Sequence, residues 1–444
     1  MGDTTLSLLT ATEAAARIRA GEVLSEDLVA ACLAVIAERD AEIGAWEHID
    51  PEFALSQARE ADAARREGKG IGPLHGVPVG IKDIIDTADL KSEFGSPIFK
   101  GRQPMADAAC VSSLRSAGAV ILGKTVTSEL ATLTPARTKN PANLAHTPGG
   151  SSAGSAAAVA CGMVPAALGT QTAGSVIRPA SFCGVYGFKP TFGLISRRGA
   201  LLQSHTLDTM GVIARSLEDL ALLTDAMSAQ DVGDSVSYPR SQPSLLTEMR
   251  ADVPLAPLLA FLKTPAWDEA DPVMQEAFGE LVESLGAHVE EIEFPSLAEV
   301  IAWQRVIQSA ENAHYYGPLL QRAPELITDG LKARLEAGLE VPARDYIAAV
   351  TARETAYAFI DNVMVHYSAI LTPAAPGPAP RGFETTGSPV FNGLWTYLGT
   401  PAVTLPLLEV NGLPVGVQLV GGRRDDARLL RTARWLIEHL AKDA

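Results

Sequence analysis

A lysine and three serines stand out because each sits where polar side chains are otherwise scarce. Lys82 lies in GVPVGIKDIID (76–86), where every residue within four positions is apolar, proline or glycine except Asp83 and Asp86. Burial there would disfavour the ammonium, lower its pKa and make a neutral amine available as a base near pH 7. A carboxylate facing the amine would act in the opposite sense, and a strand-end lysine reaching water is the plain alternative. Ser151 and Ser152 follow two glycines in PGGSSAGSAAAVA (148–160), where a composition typical of flexible linkers runs into an alanine-rich segment suited to packing. Ser175 lies in GTQTAGSVIRPA (169–180). It fits an N-cap for a helix beginning at VIRPASF. The same tight turn has a functional reading, in which the backbone N–H groups of Thr172, Ala173, Gly174 and Ser175 converge on a developing oxyanion. Small residues there let a carbonyl approach the backbone.

A competing pattern overlaps the first serines. GSSAG (Gly150 to Gly154) fits the G-x-S-x-G nucleophile elbow with Ser152 as nucleophile. That chemistry requires a downstream acid and a histidine in a loop after a late strand. His205 comes too early, His288 begins a strand, and His314, His366 and His439 fall in helical segments, so none fits.

Elements must hold these residues in place. TATEAAARIRAGEVLSEDLVAACLAVIAERD predicts two helices, the first with a Thr10–Glu13 capping box and a stop at Gly21, the second capped by Ser25. In GVPVGIKDIID, Val77, Val79 and Ile81 alternate with Gly80 and Lys82 as a strand does. AACVSSLRSAG then AVILGKT reads as helix and strand. APLLAFLK, DPVMQEAFGELVESLG and AHVEEIEFP form a βα-type unit, followed by a helical block over 297–365. AILTPAAP and GLPVGVQLVG are two buried strands, and DDARLLRTARWLIEHLAKD is a closing amphipathic helix. The alternation predicts an α/β/α sandwich around a large mixed, mostly parallel twisted sheet covered by helices. YPRSQPS (238–244) is the best boundary candidate, but the expectation is one domain over 1–444. Within it lie N-terminal helices (about 10–70), a core (about 71–230) and a C-terminal α/β part (about 250–444).

Composition narrows the functions. Hydrophobic residues make up 47% of the 444 and charged residues 20%, which supplies a substantial core and argues against disorder. A net charge of −16 with no Lys/Arg-rich run disfavours nucleic acid as a partner. Cys32, Cys110, Cys161 and Cys183 show no C-x-x-C spacing and read as structural thiols in a reducing compartment. No secretory pattern opens the chain. The apolar run near AAAVACGMVPAALG is broken by Pro165 short of the ~20 residues a bilayer needs. The expectation is a cytoplasmic protein without membrane association.

Taken together, GIKD, PGGSSAGSAAAVACGMVPAALGTQTAGSVIRPASFCGVYGFKPT, FNGLWTYLGTPAVTLPL and GLPVGVQLVG resemble the amidase signature family over about residues 10–440. The resemblance implies a Ser–cis-Ser–Lys triad, carried onto Ser175 as nucleophile, Ser151 as bridging serine and Lys82 as base. It also implies a cis peptide at Gly150–Ser151, no metal or organic cofactor, and often a homodimer. The 24 residues from Ser151 to Ser175 match the family's spacing.

Where many relatives read DTGGSIR, this chain reads QTAGSVIR. Gln171 replaces the acid and Ala173 a glycine, a methyl tolerated while φ there stays negative. The arginine moves from two to three places beyond the serine. Helical geometry puts +3 within about 60° of Ser175, so Arg178 is expected on its face. There it would line the acyl pocket and grip a substrate carboxylate, as in the malonamidase-type branch that this stretch resembles. A structural ion pair is the alternative. Gly150 and Ser152 are further candidate substrate contacts, Trp267, Gln304 and Trp395 more remote ones, and KGRQPMADAACV and LTPARTKNP candidate linings of the pocket mouth. The expected substrates are small amides, with acid-bearing ones suggested by Arg178 and neutral or aryl amides and carbamates (urethanes) as the alternative. A tRNA-amidating amidotransferase A-type subunit is the less favoured third.

Overall fold

The structure, a computed structural model, describes residues 4–239, 244–294 and 297–443. Small and β-branched residues buried on both faces make the central strands, as in a sheet covered on both sides. The described residues form eleven strands: β1 (Trp46–Ile49), β2 (Pro78–Lys82), β3 (Val120–Thr125), β4 (Ala166–Gln171), β5 (Tyr186–Lys189), β6 (Thr209–Ala214), β7 (Leu259–Leu262), β8 (Val289–Ile292), β9 (Ala369–Pro373), β10 (Ala402–Val410) and β11 (Leu413–Val420). They form one sheet in the order β1-β3-β2-β4-β6-β5-β10-β11-β9-β7-β8, flanked by helices.

The mixed α/β architecture is as expected, with one correction. Parallel pairing does not dominate: it is confined to the trios β3-β2-β4 and β9-β7-β8, and the remaining six pairings are antiparallel. The hairpin from β10 through Asn411–Gly412 to β11 runs through the middle, and β10 was not foreseen as a strand. Its sequence, AVTLPLLEV, carries a proline at 406, where the pairing register shifts, so the strand continues past a residue that lacks an N–H.

The N-terminal helices fall close to expectation. Ala11–Ala20 starts at a complete Thr10–Glu13 capping box and stops at a left-handed Gly21. Ser25 is not the cap of Ser25–Ile43: it is the first helical residue, and its hydroxyl donates to the Gly76 carbonyl at 2.7 Å. The Asp62 carboxylate, from the next helix (Pro51–Arg66), accepts the N–H groups of Ser25 and Glu26 at 2.9 and 3.0 Å. All four cysteines are buried and free. Among the described residues no helix is long and apolar enough to cross a membrane. The boundary candidate YPRSQPS lies partly outside the described residues, at 240–243.

The alanine-rich run forms the helix Ala153–Ala160, buried along nearly all its length against the sheet. Small residues permit that approach. A Cβ on Gly154 would stand 2.2 Å from the Ala45 carbonyl oxygen and 2.4 Å from the Val126 nitrogen, backbone atoms with no room to yield. Gly154→Ala is expected to destabilise the protein by about 1–3 kcal/mol, read in urea unfolding, as overpacking of a core does. An unchanged midpoint would show that this packing does not fix the loop before the helix.

Candidate active site

The parallel trio β3-β2-β4 ends with its carboxyl edges side by side, where α/β sheets commonly bind ligands. Lys82 is the last residue of β2 and Thr170 is one residue from the end of β4. Lys82 is fully buried, with Nζ 2.8 Å from Ser151 Oγ and 2.9 Å from Thr170 Oγ1. Burial pushes its pKa down from 10.5 to about 7, opposed by the charge of Asp208. The acids beside it in sequence are engaged elsewhere: Asp83 with Lys124 at 3.3 Å, and Asp86 with Arg102 at 2.6 Å. Asp208 is itself pushed up to about 6 by burial, although it accepts hydrogen bonds from the Thr172 hydroxyl and the Gln203 and Ser204 N–H groups.

Serine hydroxyls pin the glycine-rich loop to the sheet. Ser155 Oγ donates to the Leu168 carbonyl at 2.8 Å and lies 2.7 Å from Thr125 Oγ1. Ser152 Oγ sits between the carbonyl and the N–H of Thr170, at 3.4 and 3.3 Å. The Gly150–Ser151 peptide is cis. Gly149 has φ +82°, and a Cβ there would lie 3.0 Å from Pro179 Cα, so the loop rests closely on the helix Ile177–Cys183. A linker-like composition thus forms a clamped platform for Ser151. Ser152 faces the strand, shares no hydrogen bond with a histidine among the described residues and does not line the cavity described below, so the elbow geometry is not realised.

Ser175 does not cap a helix. Capping falls to Gln171, whose Oε1 accepts the N–H groups of Val176 and Ile177 at 2.9 and 3.0 Å. Gln171 Nε2 donates to Thr396 Oγ1 at 3.0 Å, and that hydroxyl donates to the Ala173 carbonyl at 2.7 Å. The Ser175 hydroxyl is left without a hydrogen bond among the described residues, as are the backbone N–H groups of Ala173, Gly174 and Ser175. Three free donors and a free hydroxyl therefore border one space. Ala173 is not among the residues with positive φ, so its methyl is accommodated. A Cβ on Gly174 would stand 2.4 Å from Asn392 Oδ1 and 3.1 Å from Arg178 Nη1.

That space is a cavity of about 400 Å³ bordered by Thr172, Ala173, Gly174, Ser175 and Arg178. Lys82 and Ser151 are not among its lining residues. The structure joins Lys82 to Ser151, and no hydrogen bond links Ser151 to Ser175. Arg178 shares the cavity with Ser175, as its +3 position implies, and is fully buried. Its Nε donates to the Thr386 carbonyl at 2.8 Å. Its Nη2 donates to the Gly150 carbonyl at 2.7 Å and to Thr386 Oγ1 at 3.1 Å. Burial pushes its pKa down to about 9, leaving it charged at neutral pH. No carboxylate pairs with it among the described residues, and Nη1 is buried without a partner, as is the neighbouring Asn392 Oδ1. The alternative of a structural ion pair is therefore not what is observed. Gly150 touches Arg178 through its carbonyl and does not line the cavity.

Of the remoter candidates, Gln304 lines the cavity, as does Leu133 from LTPARTKNP. Trp267 packs against Phe261 and Phe278, and Trp395 is fully buried in the core. No residue of KGRQPMADAACV reaches this cavity; Lys100 lines a separate one. Thr170, Asp208 and Asn392 were not anticipated. Thr170 and Asn392 lie inside stretches already singled out but carried no signal of their own, and strand register and loop packing bring them and Asp208 to the site.

Fold and site together define an enzyme of the class that hydrolyses or transfers amide C–N bonds. The family described as Amidase matches residues 27–430, and the chain belongs to it, as the signature resemblance implied. The chain is 34% identical over 469 residues to the A-type subunit of the glutamyl-tRNA(Gln) amidotransferase of Lysinibacillus sphaericus (strain C3-41), covering 97% of this chain and 96% of that one. The native peptide amidase of Stenotrophomonas maltophilia superposes with a TM-score of 0.85 at 30% identity, covering 98% of both chains. A protein of the vestigial complex that bears on the origins of an s-triazine catabolic enzyme superposes with a TM-score of 0.90 at 28% identity, covering 97% of this chain and 98% of that one.

Proposed function

We propose that this chain hydrolyses small amides bearing a carboxylate on the acyl side. The observation that carries the reading is the buried, charged Arg178, which has an unpartnered Nη1 beside the cavity that holds the Ser175 hydroxyl. A buried guanidinium donor without an acceptor calls for a ligand, and a carboxylate suits its fork geometry.

In this reading the free Ser175 hydroxyl turns toward Ser151. Its proton passes to the Ser151 oxygen as the Ser151 proton passes to neutral Lys82, and Ser175 Oγ forms a bond to the carbonyl carbon. The N–H groups of the 172–175 turn hold the oxyanion. As the C–N bond breaks, the relay returns a proton to the departing amine. Water then attacks the acyl ester along the same path, releasing the acid and regenerating Ser175.

The test is Arg178→Ala assayed on malonamate and on propanamide. Because Arg178 also holds the Gly150 and Thr386 carbonyls, both rates fall. The malonamate kcat/KM is expected to fall about 100-fold further, the scale of a lost charge-assisted contact in a site that leaves polar groups unpaired. Equal losses would refute the carboxylate role and favour neutral amides or carbamates. A glutamyl-tRNA amidotransferase A-type subunit role is the second reading, favoured by the 34% identity to a chain of the glutamyl-tRNA(Gln) amidotransferase. Hydrolysis by the isolated chain without tRNA binding argues for the first reading, and the net charge of −16 already disfavours tRNA.

A further inference from the structure

Two more guanidinium groups line the same cavity: Arg305 on the helix Leu297–Tyr316 and Arg334 on the helix Asp329–Leu339. The two helices pack against each other. Both arginines are exposed, and among the described residues neither makes an ion pair or a hydrogen bond. Among the described residues no carboxylate lines the cavity, although the chain has 52 acidic residues against 36 basic ones. The local charge thus runs against that of the whole protein. A cleft of one sign with low-dielectric walls concentrates ions of the other.

We infer that Arg305 and Arg334 bind a second anionic group, carried on the leaving-amine side of the substrate. This rests on the acyl-carboxylate reading above. The order of chemical events sets the direction. The acyl portion stays attached to Ser175 after the amine has gone, so its pocket belongs at the closed end, where Arg178 is fully buried. The amine must depart toward solvent, past the exposed arginines. Guanidinium forks on two adjoining helices suit a carboxylate there. The substrate class becomes a dianionic amide, a dicarboxylic acid joined through one of its carboxyls to the nitrogen of an amino acid.

Four amides test this: N-propylpropanamide, N-propylmalonamate, N-propanoyl-β-alanine and N-malonyl-β-alanine. They vary each carboxylate independently at nearly constant shape. The leaving-side carboxylate is expected to raise kcat/KM about 10-fold at low ionic strength, as for two partly solvated ion pairs, and to lose most of that gain in ~0.5 M salt. Calorimetric affinity for the Ser175→Ala protein should show the same ratio where turnover is slow. In Arg305→Gln/Arg334→Gln that ratio should fall to about one, whereas Arg178→Ala should move the malonyl-to-propanoyl ratio instead. A wild-type ratio of one in both acyl series, or a ratio that survives the double substitution, overturns the inference. A malonyl-to-propanoyl ratio of one refutes the acyl-carboxylate reading alone, since the propanoyl pair still reports on the two arginines.

Discussion

Lys82→Met is expected to lower kcat/KM for amide hydrolysis by about 10⁴-fold while leaving the protein folded. Lys82 Nζ sits 2.8 Å from Ser151 Oγ, and methionine matches its volume but has no basic nitrogen. An arginine at this position is too basic to give up its proton near neutrality and would not restore the rate. The wild-type rate should rise with pH through about 7, where burial places the amine, and fall away below it as the ammonium forms. Stability follows the same shift. The unfolded chain holds this proton up to about pH 10.5 and the folded protein only to about 7, so wild-type stability gains with pH between those values. Lys82→Met lacks that dependence and should be at least as stable as wild type at pH 7. Thermal unfolding and steady-state kinetics across pH 5–10 check both points. A methionine variant that keeps its turnover near pH 7 would remove Lys82 from the proton path.

Ser175→Ala is expected to cost on the order of 10⁴–10⁶ in kcat, the scale seen when a nucleophile acting within a catalytic unit is removed. The Ser175 hydroxyl is free and borders the cavity beside three N–H groups that lack acceptors. Ser152 is the sequence-level rival, and its oxygen is occupied by Thr170. Ser152→Ala should therefore reduce stability by roughly 1–3 kcal/mol, because the buried Thr170 N–H loses its acceptor, and should change turnover less than 10-fold. Mass spectrometry of a quenched slow-substrate reaction should find the acyl group on the peptide that contains Ser175. Acylation of Ser152 would reverse the assignment.

Local signals were legible where local energetics decide the outcome. The capping box at Thr10–Glu13, the stop at Gly21 and the amphipathic closing helix depend on residues a few positions apart, and the structure reproduces them. The end cap of the second helix was not legible, because Asp62 supplies it from 36 or 37 residues away. The same holds for the electrostatics of the lysine. Apolar neighbours along the chain pointed to the burial that lowers its pKa, but the acid that opposes the shift is Asp208, and Asp83 and Asp86 turn to other cations.

Residue order alone therefore determined the family, through its signature stretches and their spacing, and through that resemblance pointed to Lys82, Ser151 and Ser175 as the candidate trio. Packing in three dimensions decided the rest. It assigned capping of the short helix to Gln171 and so freed the Ser175 hydroxyl, and it left Arg178 without an acid among the described residues. It also drew Arg305 and Arg334 from separate helices to one cavity. Such outcomes hinge on which buried donors find acceptors across the sheet, and sequence separation carries no record of that.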